Sequence, residues 1–344
     1  MRNIIGDLCH DQLVANGKQE FGFEENCNYR EWKKKIKDKF YELLGFARIE
    51  KNACPLNIES EKEVQKDGYK QIRFTFESEK GAFVPCYLCI PDTGKEKYPV
   101  AICLQGHSSG FHNSIAEPKD DSEIEYATGR GAFAVQAVKN GYASLAIEQR
   151  AMGERITSRH PFDVRMCTFA LLSAIELGRT LVGERAWDVH KAIDALEELN
   201  YANLDLSKIL VVGNSGGGTA SFYSACFDER IKLAVPSCSF CSYKESILDM
   251  YHCACNYIPG AYNYFEMGDL TCLIAPRNFM PVTGAIDTAF PLHGVQTEFE
   301  KAEKIYEIEG AEDKCRLIVT PKGHYFCEDI VWGEINEETK KMGW

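Results

Sequence analysis

The residues of this chain with the clearest capacity for chemistry lie in Lys208-Ile-Leu-Val-Val-Gly-Asn-Ser-Gly-Gly-Gly-Thr-Ala220. Ile209–Val212 is a β-branched and leucine run bounded by glycine, which predicts a buried strand. Gly213-Asn-Ser-Gly-Gly217 fits G-x-S-x-G, and residues 219–226 can continue as a helix. Strand, tight turn and helix are the setting in which that pattern means a nucleophile elbow, with Ser215 in a strained backbone conformation. Its hydroxyl would stand at a helix N-terminus, where free N–H groups can receive a developing oxyanion. The plain alternative is a glycine-rich turn with a capping serine; the strand before it and the helix after it favour the nucleophile.

A serine hydroxyl attacks only when a base takes its proton, and that base needs an orienting acid. His252, His293 and His324 follow Ser215 in the chain. His324 lies in Pro321-Lys-Gly-His-Tyr-Phe326, directly after the last expected strand (residues 315–320), and is the best placed. His293 is several residues past the preceding strand, and His252 falls in a stretch without period. Asp287 ends Gly284-Ala-Ile-Asp287, which follows an expected strand over residues 279–283. Glu266 and Asp269 compete for the acid role but sit at no strand–loop junction. An aspartate after a strand is often a turn cap, and Gly-His in a loop is often only a turn. The order Ser215, Asp287, His324 nevertheless brings three separate placements into one scheme. The Gly216 amide is the first expected oxyanion donor. The His107 amide, in Gln105-Gly-His-Ser-Ser-Gly110 after an early strand, is the second, with Gly106 leaving room for substrate.

These residues need elements to hold them. Trp32, Ile36, Phe40, Leu43 and Leu44 recur at helical spacing among lysines, which predicts an amphipathic helix over residues 28–46. Residues 70–76 and 82–90 read as an antiparallel pair about a turn at 77–81. Residues 99–104 are a buried strand, 111–128 a polar surface loop, 132–139 a helix and 143–147 a strand. Gly129-Arg-Gly-Ala-Phe-Ala134 matches a dinucleotide G-x-G-x-x-A on paper, but no strand precedes it. Residues 163–200 are helical, with Trp187 and Asp188 assigned to packing and solvation. A strand at 233–236, the aperiodic stretch 240–275 and a helix at 297–309 complete the pattern. Strands alternating with helices after an antiparallel start predict an α/β fold with a mostly parallel central sheet. The expected division is an N-terminal helical extension (1–60) and a catalytic domain (61–344), with 240–275 as a lid-like insertion.

The net charge of −12 argues against a nucleic-acid backbone as partner. No stretch approaches the roughly 18 apolar residues of a membrane span, and the first residues carry no apolar leader core, which predicts a cytoplasmic protein. Fifteen cysteines, an odd number, then read as reduced thiols. Cys86 and Cys89, three apart in one strand, face opposite sides. Cys238, Cys241, Cys253 and Cys255 could form a zinc or redox cluster, though their spacing is not that of a zinc ribbon.

The chain resembles the α/β-hydrolases, in particular the acetyl xylan esterase-like branch that includes cephalosporin-C deacetylases and dienelactone hydrolases. The resemblance spans about residues 70–330. It is carried by Leu104-Gln-Gly-His107, Glu148-Gln-Arg-Ala-Met-Gly-Glu-Arg155, the elbow, the segment from Ala275 to Asp287, and Pro321-Lys-Gly-His324. Gln105 stands where the family's oxyanion loop more often has histidine, and Ala151 where glycine is usual. Glucuronoyl esterases carry an arginine beside the serine; Asn214 and Gly216 flank Ser215 here, which disfavours a uronate ester. Dienelactone hydrolases use cysteine in place of the serine. The resemblance implies a serine esterase that removes short acyl groups, such as acetyl, from a carbohydrate or other small molecule. No cofactor and no metal are expected, and a homo-oligomer stays open. The rival readings are a non-catalytic ligand-binding protein of this fold, and a zinc or redox protein built on Cys238–Cys255.

Overall fold

Short apolar runs become strands wherever both faces can be covered, and in the computed structural model, which describes residues 6–156 and 166–344, they join into one sheet. The strands are β1 (Glu59–Ser60), β2 (Val64–Lys66), β3 (Tyr69–Glu79), β4 (Ala82–Pro91), β5 (Tyr98–Leu104), β6 (Ala143–Ile147), β7 (Leu204–Asn214), β8 (Ile231–Ser237), β9 (Asn278–Phe279), β10 (Val282–Gly284) and β11 (Ile318–Thr320). Their spatial order is β1-β3-β4-β6-β5-β7-β8-β10-β11, with β2 on β3 and β9 beside β8. β3, β4 and β6 pair antiparallel, and every pairing from β6 onward to β11 is parallel.

The helices are α1 (Leu8–Asn16), α2 (Tyr29–Leu44), α3 (Phe46–Glu50), α4 (Ile124–Thr128), α5 (Phe133–Lys139), α6 (Met166–Glu176), α7 (Leu181–Leu199), α8 (Gly216–Phe227), α9 (Met267–Leu270), α10 (Leu292–Ile308) and α11 (Glu328–Lys341). Alternation along the strands sorts side chains to two faces. Ile209 and Val211 of β7 pack with the residues of α2, α7, α8 and α10. Leu210 and Val212 pack on the other face with Phe133 of α5 and Trp332 of α11. Each face of β7 is therefore covered, which is why its apolar run is unbroken. This is the mostly parallel sheet flanked by helices that the pattern predicts.

The amphipathic helix forms as α2, burying Trp32, Ile36, Phe40 and Leu44. Cys86 and Cys89 fall into separate apolar clusters, as strand geometry requires. All fifteen cysteines are thiols in the structure, and no described helix is long and apolar enough to cross a membrane.

Several boundaries move for identifiable reasons. β3 continues to Glu79, where Glu77 accepts a hydrogen bond from Asn57 Nδ2 at 2.7 Å and Glu79 one from Arg150 Nη2 at 2.7 Å. The expected loop 111–128 is partly interior: Phe111 and Ile115 are buried under a 3₁₀ turn, and α4 follows. The helical region 163–200 splits into α6 and α7 about Gly178, whose φ is +68°; residues 163–165 of that expectation lie outside the described residues. The strand expected at 279–283 is two pieces, β9 and β10, parted at Pro281, which has no N–H to give the ladder. The strand expected at 315–320 is ordered only as β11. Besides the short α3, α4 and α9, the helices additional to the expected pattern are α1, which buries nothing, and α11, which buries residues that include Val331, Trp332 and Ile335.

Asp188 is not a solvated residue. It is buried and accepts hydrogen bonds from Ser78 Oγ at 2.6 Å, Arg150 Nη2 at 3.0 Å and Arg155 Nη1 at 2.6 Å. Arg150 also pairs with Glu79 at 2.7 Å and Glu184 at 3.2 Å, and Arg179 bonds the same two glutamates. Burial opposes ionisation of the Asp188 carboxyl, but the charges of Arg150 and Arg155 outweigh it and hold the group well below the usual carboxylate range. This network ties the loop after β6 to β3 and α7. Arg150→Met leaves Asp188 to Arg155 and Glu79 to Arg179 but removes the charged hydrogen bonds that Arg150 gives both acids, and is expected to cost about 1.5–3 kcal/mol. Urea unfolding monitored by far-ultraviolet circular dichroism checks it; a loss below about 1 kcal/mol would contradict the role given to Arg150.

Candidate active site

The parallel run β5-β7-β8-β10-β11 sends all its C-terminal ends to one edge of the sheet, where open α/β folds place their chemistry. Ser215 follows β7, Asp287 lies three residues beyond β10, His324 four residues beyond β11, and His107 three residues beyond β5. The structure thus gathers on one edge the residues that the sequence singles out.

Ser215 adopts φ 56° and ψ −123°, a conformation that costs a non-glycine residue energy and is kept only where the surroundings impose it. The surroundings are close backbones. A Cβ on Gly217 would overlap the Leu104 carbonyl oxygen, and one on Gly213 would lie 2.5 Å from that same oxygen. The first turn of α8 is therefore pressed onto the end of β5, and both flanking glycines of G-x-S-x-G are required by contact. The Ser215 amide donates to Ser237 O at 2.9 Å, and Ser215 O accepts from the Thr219 amide at 2.8 Å as α8 begins. Gly106 runs alongside: a Cβ there would come 3.4 Å from Ser215 Cβ.

His324 Nδ1 lies 2.9 Å from Asp287 Oδ2. Asp287 Oδ1 accepts from the amides of Ala289, at 2.8 Å, and Phe290, at 3.2 Å. The Asp287 side chain is fully buried, whereas that of His324 is 35% exposed, so the acid is fixed and the imidazole can be reached. Burial pushes the Asp287 carboxyl up, but the hydrogen bond and charge of His324, with the two amides, bring it below its ordinary value. The Phe290 ring stacks on His324 with centroids 5.8 Å apart. Cys238 lies next to Asp287, and burial and that carboxylate hold its thiol up at about 12, so it stands there neutral.

The competing candidates have other occupations. His252 is buried, contacts Ser246 Oγ at 3.1 Å and packs behind Phe290. His293 is exposed and pairs with Glu245. Glu266 caps the N-terminus of α9, and Asp269 holds the Glu266 and Phe23 amides.

The loop after β5, the candidate oxyanion loop, is supported from below. Gln105 is buried, donating from Nε2 to Glu148 Oε1 at 2.9 Å, while its carbonyl accepts from Gln149 Nε2. Glu148 Oε2 accepts from the amides of Phe111 and Glu154, each at 3.2 Å. Glu148 thus holds both ends of the 105–111 loop. The His107 ring lies over Gly216, where a Cβ would meet its Cε1 at 2.8 Å. The rival cluster from Cys238 to Cys255 does not assemble. Cys238 Sγ turns to the Gly323 and Tyr325 carbonyls, and Cys241 Sγ to that of Pro291. Cys253 and Cys255 instead join Cys167 and His107. Cys167 is absent from the sequence-level set because it lies on another element, 86 residues before Cys253, with no neighbouring ligand to flag it.

Residues 10–317 match the sequence pattern of the Abhydrolase family. YtaP of Bacillus subtilis (strain 168), a protein named only as a hydrolase, is 24% identical over 245 residues, covering 70% of this chain and 78% of YtaP. Among solved structures, a Bacteroides fragilis NCTC 9343 protein designated an acetyl xylan esterase superposes with a TM-score of 0.81 at 16% identity, covering 98% of this chain and 95% of that one. A glucuronoyl esterase from Solibacter usitatus superposes with a TM-score of 0.64 at 15% identity, covering 88% and 91%. At these identities the superpositions speak for the fold.

The support beneath the loop after β5 has a measurable pH dependence. Burial raises the Glu148 carboxyl from 4.5 to about 7, the Glu154 and Phe111 amides only partly offsetting it. With the folded value above the unfolded one, this group's contribution to stability is complete below about pH 4.5. It is lost as pH rises to about 7 and then levels off. Between about pH 5 and pH 8 the wild-type protein is expected to lose roughly 2–3 kcal/mol more than Glu148→Gln, whose side chain cannot ionise. Urea titrations of both proteins at the two pH values measure this; parallel losses would remove Glu148 as the cause. Gly217→Ala is expected to cost about 3 kcal/mol or more, read by the same titration at neutral pH.

Proposed function

The chain belongs to the Abhydrolase family, and from that premise we propose that it is a serine carboxylic-ester hydrolase acting on short acyl esters of a carbohydrate or other small molecule. One observation carries the reading: the buried Asp287 holds the Nδ1 edge of a reachable imidazole, His324, at the sheet edge where Ser215 is held in its strained turn.

The chemistry follows from those positions. With Nδ1–H committed to Asp287, His324 presents Nε2 as a base that takes the Ser215 proton as Oγ attacks the ester carbonyl. In this reading the negative oxygen of the tetrahedral intermediate is received by the backbone amides of Gly216 and His107, because backbone dipoles need little reorientation as charge develops. His324 then gives its proton to the departing alcohol, leaving the acyl group on Ser215. Water enters, His324 takes its proton, and collapse of the second intermediate releases the carboxylic acid and restores the serine. Asp287 stays ionised throughout and stabilises the imidazolium. The route requires no cofactor.

An acetyl ester is the favoured substrate, because the Bacteroides fragilis relative that superposes over nearly the whole chain is designated an acetyl xylan esterase. A uronate ester is disfavoured by a contact in this chain. A Cβ at the position after Ser215 would meet the His107 ring at 2.8 Å, so an arginine there would have to displace that ring. The non-catalytic alternative is disfavoured by the complete serine, acid and histidine set.

A fluorophosphonate probe is expected to label Ser215 in the wild-type protein and not in Ser215→Ala, as peptide mass mapping will show. Acetyl-ester turnover is expected to fall at least about 10⁴-fold in Ser215→Ala and about 10²–10⁴-fold in Asp287→Asn. A folded wild-type protein that neither takes the probe nor turns over acetyl esters would favour the ligand-binding reading.

A further inference from the structure

Three cysteines and a histidine from three separate parts of the chain converge beside the nucleophile. His107 comes from the loop after β5, Cys167 from the first turn of α6, and Cys253 and Cys255 from the irregular segment between β8 and α9. His107 Nε2 and the three Sγ atoms all lie within 4.8 Å of one another. The individual separations are 3.1 Å from His107 Nε2 to Cys255 Sγ, 3.8 Å from His107 Nε2 to Cys167 Sγ, and 3.4 Å between Cys253 and Cys255. A tetrahedral zinc ion with Zn–S of about 2.3 Å and Zn–N of about 2.0 Å has ligand–ligand edges of about 3.5–3.8 Å. The four donors already stand near those separations.

A second observation, independent of the thiols' spacing, concerns charge. Arg185 is buried, and among the described residues it pairs with no carboxylate. Its guanidinium donates to the Arg150 carbonyl and, from Nη2, to Cys167 Sγ at 3.6 Å. A guanidinium is always charged, and buried without a counter-charge it is costly. Three thiolates and one Zn²⁺ carry a net charge of −1, which the single positive charge of Arg185 balances.

We propose that His107, Cys167, Cys253 and Cys255 form a zinc-type Cys₃His site. On binding, the cation replaces the thiol protons, which pass to solvent, and forms three Zn–S bonds and one Zn–N bond. Four protein ligands close the coordination shell, so the ion is structural and activates no water. Its place gives it a consequence. It fastens the residue whose amide is the second oxyanion donor to α6 and to the segment carrying Cys253 and Cys255. This departs from the sequence expectation of no metal, and it also departs from the Cys238–Cys255 cluster, of which only two members take part. The site itself stands apart from the esterase reading; only its effect on turnover rests on it.

The test measures metal content before activity. Protein purified without added chelator, and protein incubated with Zn²⁺ and then dialysed, are analysed by mass spectrometry for metal per chain. The expected result is about one zinc per wild-type chain, at least ten-fold less in Cys255→Ser and Cys167→Ser, and an unchanged content in Cys241→Ser. Cobalt substitution of the wild-type protein is expected to give the visible absorption of a tetrahedral thiolate-bound Co²⁺. If the serine variants fail to fold, chelation of the wild-type protein serves instead, with a downward shift in melting temperature reversed by Zn²⁺. Absence of stoichiometric metal in the Zn²⁺-incubated wild type, retention of metal in both serine variants, or a disulfide among these cysteines in the purified protein overturns the proposal. Acetyl-ester turnover is expected to drop about ten-fold or more in the apoprotein. Protein that binds one zinc but hydrolyses no ester, with or without metal, would instead count against the esterase reading and leave the metal site standing.

Discussion

The contact on which the site depends is between two backbones. The first turn of α8 is pressed against the last residue of β5, with no room for a side chain at Gly217 and almost none at Gly213. Because the helix starts this close to the sheet, the residue between those glycines must turn sharply, and Ser215 has its positive φ as a result. The same closeness brings the loop after β5 across the start of α8, so that Gly106 borders the serine and His107 covers Gly216. Ser215 and the loop after β5 are thus placed by one packing decision. The energy stored in the strained serine is held by strands that are covered on both faces.

Charge is handled in two different ways around this edge. Arg150, Arg155 and Arg179 are matched against Glu79, Asp188 and Glu184, so buried ions neutralise one another and lock the loop after β6. Glu148, the first residue after β6, has no such partner among the hydrogen bonds of its carboxylate. It binds through Gln105 and two amides, and burial raises its pKa. One short segment therefore meets both a rigid charged clamp and a neutralisable strut. The difference follows from which acids face a guanidinium.

Much of this was legible in the sequence, for physical reasons that also explain the gaps. Ile209–Val212 betrays a buried strand because both its faces are covered. The glycines around Ser215 mark the turn because nothing larger fits. Asp287 and His324 follow their strands closely in a parallel sheet, so chain order alone places them on one edge. Cys167 carries no local mark, since its partners come from loops far away in sequence. Asp188 reads as a surface residue because a helix pattern reveals which face is apolar, but not which arginine will arrive from another loop. The break at Pro281 and the shortened β11 belong to an edge region where few ladder bonds reward regularity. α11 carries an apolar spacing at Val331, Trp332 and Ile335 that is visible once a helix there is considered.

The N-terminal residues hold the far side of the molecule by contacts that span most of the chain. The amides of Glu20 and Phe21 donate to the carbonyls of Asn263 and Tyr264, and the Phe23 amide donates to Asp269 across 246 positions. Phe40 of α2 stacks on Tyr223. On a ribosome this segment is made long before its partners. At about 5–20 residues per second, roughly 12–50 s separate the emergence of Phe23 from that of Asp269. Throughout that interval the apolar stripe of α2 is without part of the surface it finally covers. The nascent chain therefore carries an unsatisfied hydrophobic helix for much of its synthesis, which is the condition under which a holding chaperone has something to bind.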